Sequence, residues 1–208
     1  MQPEAFVNLL GRLRATAILR TSIEDAAAPA MDAAIRGGFR IVEFTLNTPG
    51  ALERIVEFSR RDDVIVGAGT VLTVADARAA VRAGARFLVS PVVDVEVIEE
   101  AAELGVCAIP GCHSPTELLL AHRAGAPLQK LFPALALGPD WVRACLAPLP
   151  FLRIVPTNGV TAENARAFLD AGCLAVGFGA PLFAASDLAE RRFERIAERA
   201  RALLARLA

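Results

Sequence analysis

Val64-Ile65-Val66-Gly67-Ala68-Gly69-Thr70 is a short apolar run closed by small residues; after it come a helical stretch, Ala75 to Ala83, then Gly84, then a second apolar run, Phe87-Leu88-Val89-Ser90-Pro91. Runs of this length with little polar alternation read as strands buried on both faces, and the segment between them has helical periodicity. Gly84 stands where a helix commonly ends in a left-handed residue, a conformation glycine adopts cheaply. The stretch is therefore one strand-helix-strand unit.

The same unit recurs along the chain. The strands predicted are Thr16 to Arg20, Ile41 to Leu46, Val64 to Thr70, Phe87 to Pro91, Val106 to Pro110, Leu128 to Pro133, Arg153 to Thr157 and Leu174 to Gly179, eight in all. Helical segments such as Asp25 to Arg36, Val95 to Leu104, Pro115 to Ala124 and Ala162 to Ala171 lie between them, and Asp76, Ser114 and Thr161 sit where side-chain oxygens can cap free helix amides. Eight such units predict an α/β fold with a parallel sheet under a layer of helices. Closure into a (β/α)8 TIM barrel removes both sheet edges. The amphipathic stretch Glu4 to Leu13 precedes the first strand and is an extra N-terminal helix. An open doubly wound sheet is the rival fold, but no G-x-G-x-x-G follows an early strand. No linker interrupts the pattern, so residues 1–208 are expected to form a single barrel domain.

Composition narrows the function. The chain is 54% hydrophobic and 22% charged with a formal net charge of −1, which describes a compact protein rather than a disordered or nucleic-acid-binding one. The charge-dense tail from Glu190 to Arg206 mixes both signs at helical spacing, as a solvated terminal helix does. The N-terminus lacks a signal-peptide pattern and no apolar segment is long enough to span a bilayer, so a cytoplasmic location without membrane or nucleic-acid partners is expected. Cys107, Cys112, Cys145 and Cys173 form no CxxC pair and read as reduced core thiols. His113 and His122 do not combine with Cys112 into a metal motif, so no metal is expected.

Lys130 is the only lysine in the chain, and it lies inside the apolar run Leu128-Gln129-Lys130-Leu131-Phe132-Pro133. Burial disfavours an ammonium and moves its pKa toward the free amine that attacks a carbonyl, which makes Lys130 a candidate Schiff-base nucleophile; a surface lysine with its head in water is the structural alternative. In a barrel the site gathers at the C-terminal strand ends. Those ends hold Arg20, then Glu43 with Thr45 and Asn47, then Thr70, Ser90-Pro91, Lys130 with Phe132, Thr157-Asn158-Gly159, and Gly179-Ala180. Every second strand residue faces inward, so an inward Glu43 and an inward Lys130 on different strands place a proton-transfer group beside a nucleophile. A purely structural ion pair is the other reading of the same two residues.

At these residues the chain resembles the class I 2-keto-3-deoxy-6-phosphogluconate and 2-keto-3-deoxy-6-phosphogalactonate aldolases, a family that includes 4-hydroxy-2-oxoglutarate aldolases. The resemblance is carried by Val42-Glu43-Phe44-Thr45-Leu46, Gly67-Ala68-Gly69-Thr70-Val71-Leu72, Val89-Ser90-Pro91, Ile109-Pro110-Gly111, Lys130-Leu131-Phe132-Pro133-Ala134 and Pro156-Thr157-Asn158-Gly159-Val160, in this order. It implies a lyase that cleaves a 4-hydroxy-2-keto acid to pyruvate and an aldehyde, with Lys130 as Schiff-base lysine and Glu43 as general acid/base. It also implies a contact from Thr70 to the keto-acid carboxylate, walls from Pro91 and Phe132, no cofactor, and a homotrimer. Asn47 stands where phosphogluconate-type members have arginine. Leu46-Asn47 with Ile18-Leu19-Arg20 instead resembles the phosphogalactonate subgroup, so Arg20 is expected to supply the guanidinium. At the phosphate end, after Pro156-Thr157, Asn158-Gly159 stands where the family usually has Gly-Gly, and Gly179-Ala180 stands where it has Gly-Ser; Thr157, Asn158, Gly159, Gly179 and Ala180 are the substrate contacts expected there. Backbone amides of Gly159, Gly179 and Ala180 can still donate, while a shorter, unphosphorylated acceptor stays open. Two other readings remain: decarboxylation of oxaloacetate on the same residues, and a non-catalytic sugar-phosphate-binding barrel.

Overall fold

The computed structural model describes residues 1–135 and 137–207. Among the described residues there are nine strands: β1 (Ala15–Leu19), β2 (Ile41–Thr45), β3 (Ile65–Gly69), β4 (Phe87–Val89), β5 (Cys107–Ile109), β6 (Gly111–Cys112), β7 (Gln129–Leu131), β8 (Ile154–Pro156) and β9 (Val176–Phe178). They alternate with helices α1 (Pro3–Leu13), α2 (Glu24–Arg36), α3 (Ala51–Ser59), α4 (Val74–Arg82), α5 (Val95–Glu103), α6 (Pro115–Arg123), α7 (Gly138–Leu146), α8 (Ala165–Asp170), α9 (Ala185–Ala189) and α10 (Phe193–Ala205). Six strands pair in the order β5-β4-β3-β2-β1-β9 and three in the order β6-β7-β8. Every ladder is parallel, and the fold is α/β with a curled parallel sheet.

The run predicted as one strand from Val106 to Pro110 holds β5 and ends at Ile109; the short strand β6 follows Pro110, outside the predicted run. Proline has no amide to donate, so the ladder breaks at Pro110 and the chain changes partner there. Ile109 still accepts from Ser90 N on the β4 side, at 3.3 Å, while Pro110 O accepts from Lys130 N on the β7 side, at 2.9 Å. On the other flank, Leu174 N donates to Ile154 O at 3.0 Å, which joins the approach to β9 to β8. Strand β1 ends at Leu19, so Arg20 opens the following loop instead of closing the strand.

The strands separate two apolar layers. Val42, Phe44 and Val66 point outward into the main core under the helices, with Phe58 of α3 edge-on to Phe44 at 5.1 Å. Ile41, Phe87, Val89, Ile109 and Val155 point inward, and Phe6, Val7 and Leu10 of α1 pack with them. Each buried side chain of this size contributes roughly 2 kcal/mol. This alternation follows from the two-residue period of a strand and puts Glu43, two positions from Ile41, on the inner side.

Helix ends follow local chemistry. Ser114 caps α6 in a capping box with Glu117, as its position predicts. At α4 the cap is Thr73, whose hydroxyl accepts from Asp76 N at 3.0 Å; the Asp76 carboxylate turns back to Leu72 N. Thr161 shapes the turn before α8 and does not cap it. Gly84 adopts φ of 106° just past its helix, the left-handed stop expected of it, and Gly125 ends α6 in the same way at 92°. All four cysteines are free and buried, and burial pushes the Cys112 and Cys173 thiols up to about 12. No helix among the described residues is long and apolar enough to cross a membrane.

Candidate active site

Glu43 lies at the centre of β2, in register with Ile18 of β1 and Gly67 of β3; Lys130 lies at the centre of β7, in register with Gly111 of β6 and Val155 of β8. Both are buried, at 2% and 7% exposure. Small residues on the neighbouring strands make this possible. A Cβ at Gly69 would sit 1.9 Å from Glu43 Oε1, so only glycine there leaves the carboxyl its place. Lys130 Nζ is held 4.5 Å above the Phe132 ring, a cation–π contact that steers the amine toward the C-terminal side of the strands.

Glu43 and Lys130 line one interior space of about 10 Å³, with Thr16, Thr157, and Phe6 and Leu10 of α1 also on its wall. Burial is the dominant influence on both ionisable groups. It holds Lys130 below the ordinary lysine range, a shift opposed by the Glu43 carboxylate and reinforced by the Arg20 cation. It pushes Glu43 above the usual carboxylate range, opposed by the charges of Lys130 and Arg20. Their mutual effect is Coulombic, without a hydrogen bond between them. The result is an amine nearer its nucleophilic form and a carboxyl nearer its proton-donating form, side by side. Such a pair can form and hydrolyse an imine and move the protons those steps require.

The other predicted residues sort by position. Arg20 is exposed at the mouth and its Nη2 donates to Thr70 Oγ1 at 3.4 Å. Thr70 itself adopts φ 58°, a left-handed conformation that a β-branched residue takes at a cost of about 1–3 kcal/mol and that concentrates at functional sites. Half-buried Phe132 and Pro91 flank the same mouth, and a Cβ at Gly111 would meet Pro91 O at 2.3 Å, so the β4 and β6 ends touch backbone to backbone. Thr157 is buried, and its Oγ1 has no partner among the described residues. Asn158 (φ 55°) is exposed, and Gly159 (φ 126°) packs where a Cβ would lie 2.6 Å from Leu135 N. Gly179 accepts from Leu182 N and Phe183 N at 2.9 Å in the turn after β9, with Ala180 exposed beside it. Asn47 is not gathered with Lys130 and Glu43. It is exposed on a separate outer cleft bounded by Thr48, Leu52, Glu53 and Asp76.

Two contributors lie outside the strand ends, and a third, Gly69, was legible as a strand-end residue but not in its role. Phe6 and Leu10, one helical turn apart on α1, reach the interior from the opposite end of the strands, and Gly69 acts by having no side chain. The i, i+4 spacing of Phe6 and Leu10 was a legible signal for a buried helix face, but its partner surface was not. Among the described residues no group of three or more His, Cys, Asp or Glu side chains is placed to hold a metal.

Comparison with known proteins identifies the family. The family model for KDPG and KHG aldolase matches residues 7–199. The 2-dehydro-3-deoxy-6-phosphogalactonate aldolase of Escherichia coli (strain K12) is 37% identical over 190 residues, spanning 89% of this chain and 92% of its own. A native KDPGal structure superposes with a TM-score of 0.83 at 36% identity, over 92% of this chain and 93% of that one. KDPG aldolase from Legionella pneumophila, with pyruvate captured as a covalent carbinolamine intermediate, superposes with a TM-score of 0.83 at 28% identity, over 93% and 97% of the two chains. With nearly the whole length matched in sequence and in backbone course, the chain belongs to the KDPG and KHG aldolase family.

Proposed function

We propose that this protein is a class I aldolase that cleaves a 4-hydroxy-2-keto acid of the 2-keto-3-deoxy-6-phosphogalactonate or -phosphogluconate type to pyruvate and glyceraldehyde 3-phosphate. The observation that carries the reading is the burial of a lone lysine and a glutamate against one interior space, with each pushed by that burial toward its neutral form. Lys130 Nζ attacks the C2 ketone, Glu43 donates the proton with which water leaves, and a protonated imine forms. The imine accepts the electron pair of the C3–C4 bond while Glu43, directly or through a water, takes the C4 hydroxyl proton. An aldehyde departs, and protonation and hydrolysis of the remaining enamine release pyruvate. The iminium supplies the electron sink, so the steps need no cofactor.

In this reading Arg20 and Thr70 hold the keto-acid carboxylate, Pro91 and Phe132 wall the pyruvyl portion, and Thr157 offers its unpaired hydroxyl to the bound chain. Asn158, Gly159, Gly179 and Ala180 form the far end, while Asn47 stands on its own outer cleft beside Thr48 and Asp76. Ala180 brings no hydroxyl there, an observation that favours 4-hydroxy-2-oxoglutarate and other unphosphorylated substrates as the second reading. The two sheets form one closed (β/α)8 barrel in a single domain over residues 1–208, with the Pro110 and Ile154–Leu174 junctions as its seams and α1 as an extra helix across its N-terminal end. A cytoplasmic homotrimer is the expected assembly.

Borohydride reduction in the presence of pyruvate, followed by intact mass and peptide mapping, tests the chemistry. The wild type is expected to carry one pyruvyl adduct on Lys130 and Lys130→Met none; an unmodified wild type under folding conditions rejects the reading in favour of a non-catalytic binding barrel. Comparing kcat/KM for the phosphorylated acids, 4-hydroxy-2-oxoglutarate and oxaloacetate then ranks the substrates.

A further inference from the structure

We propose that helix α1 is part of the reaction machinery: Phe6 and Leu10 form an apolar floor that keeps water from reaching the Lys130 amine from the N-terminal end of the strands. The inference rests on the aldolase reading, and it makes Phe6 and Leu10 positioning residues that act through Lys130.

The residues of the substrate mouth lie at the C-terminal ends of the strands, so the keto acid reaches Lys130 from that side only if the other side is closed. The closure is built in three layers. Gly67 leaves the room that the Phe87 ring fills, since a Cβ there would lie 2.5 Å from the ring; Phe6, fully buried, stacks on Phe87 with centroids 4.6 Å apart; and the face of α1 carrying Phe6 and Leu10 reaches the wall of the Lys130–Glu43 space. The helix is fastened at both ends. Glu4 pairs with Arg153 at 2.9 Å, and Arg14, which caps α1, accepts from Val176 N at 2.9 Å. About 10 Å³ of space remains, close to the least volume that admits one water, so the amine gains little hydration from below.

The groups around Lys130 leave burial as the main control on its charge. Glu43 on β2 favours the ammonium and Arg20 after β1 disfavours it, and burial outweighs both. Cys107 on β5, in the same inner layer, is pushed by burial far above the range in which a thiol ionises. Glu4 and Arg153 form the ion pair fastening the outer end of α1. The space now shows only apolar surface; excising part of the floor enlarges it toward the polar ends of Glu43, Lys130 and Thr157, and a cavity that reaches polar partners takes up water where a wholly apolar one stays dry.

The test follows borohydride trapping of pyruvate against pH for wild type, Phe6→Ala, Leu10→Ala and the apolar control Phe6→Leu, with folding checked by circular dichroism. In the Ala variants the trapping midpoint is expected to move to higher pH by about one unit, so that adduct formation at neutral pH slows roughly tenfold and recovers in alkali, while Phe6→Leu keeps the wild-type midpoint. Either folded Ala variant decides. A wild-type pH profile, or a rate lost equally at every pH, overturns the floor proposal while leaving the aldolase reading intact. A wild type that forms no adduct removes both.

Discussion

At the scale of single residues, the site depends on two ionisable side chains kept where neither is comfortable. Replacing one of them changes the protonation logic of the other. In Glu43→Gln the amide preserves shape but cannot shuttle a proton, so kcat is expected to fall by roughly 10²–10⁴-fold. The loss of the carboxylate also removes its attraction for the Lys130 ammonium, so the Lys130 pKa drops further. The sign is therefore opposite for the two readouts: turnover collapses, while the acid limb of pyruvate trapping moves to lower pH. A trapping profile displaced to higher pH in Glu43→Gln contradicts the electrostatic assignment. Lys130 itself was legible as unusual from its apolar run. Its distance from water was not, because burial is a property of every strand and helix around it.

At the scale of elements, the informative feature is the end of β3, where Gly67 and Gly69 clear space for side chains contributed by other strands. Gly69→Ala is expected to destabilise the fold by about 1–3 kcal/mol, an overpacking cost, and to push the Glu43 carboxyl from its position. Because the same displacement removes the proton-transfer group, kcat falls much more than KM changes; steady-state kinetics with chemical denaturation measures both. Equal stability with undiminished kcat argues that Glu43 has room to spare. The Gly-Ala-Gly run was readable as a strand end with small residues. Which side chain needed the space was decided by the parallel register of β2 with β3, a pairing that no local signal encodes. The change of partner at Pro110, between β5 and β6, is the converse case, since proline's missing amide is visible in the sequence while the change of partner strand it permits is not.

At the scale of the whole molecule, the segments after β9 are tied down by Asp187, a buried carboxylate that takes Arg192 Nε at 2.8 Å and also pairs with Arg199, whose other nitrogen holds Leu182 O at 2.7 Å. Arg199, then Arg192, hold the Asp187 carboxyl below the usual aspartate range despite its burial. A depressed pKa means that the stabilisation is present above the unfolded value and is lost as pH falls through the folded one. Asp187→Asn is expected to lose roughly 1.5–3 kcal/mol near neutrality, with the deficit closing in acid; urea melts at neutral and acid pH check it. A deficit independent of pH assigns the role of Asp187 to packing instead. Hydrophobic periodicity, helix-ending glycines and the ordered strand-end motifs by themselves determined the α/β class, most strand positions and the inward facing of Lys130 and of Glu43, because periods of two and 3.6 and backbone preferences are written in neighbouring residues. Only the tertiary structure decided that α1 reaches the interior, that Asn47 stands apart from Lys130 and Glu43, that Thr70 is held left-handed and that Asp187 gathers arginines. Those outcomes depend on which distant segments compete for the same space, and packing settles that only once the chain has closed on itself.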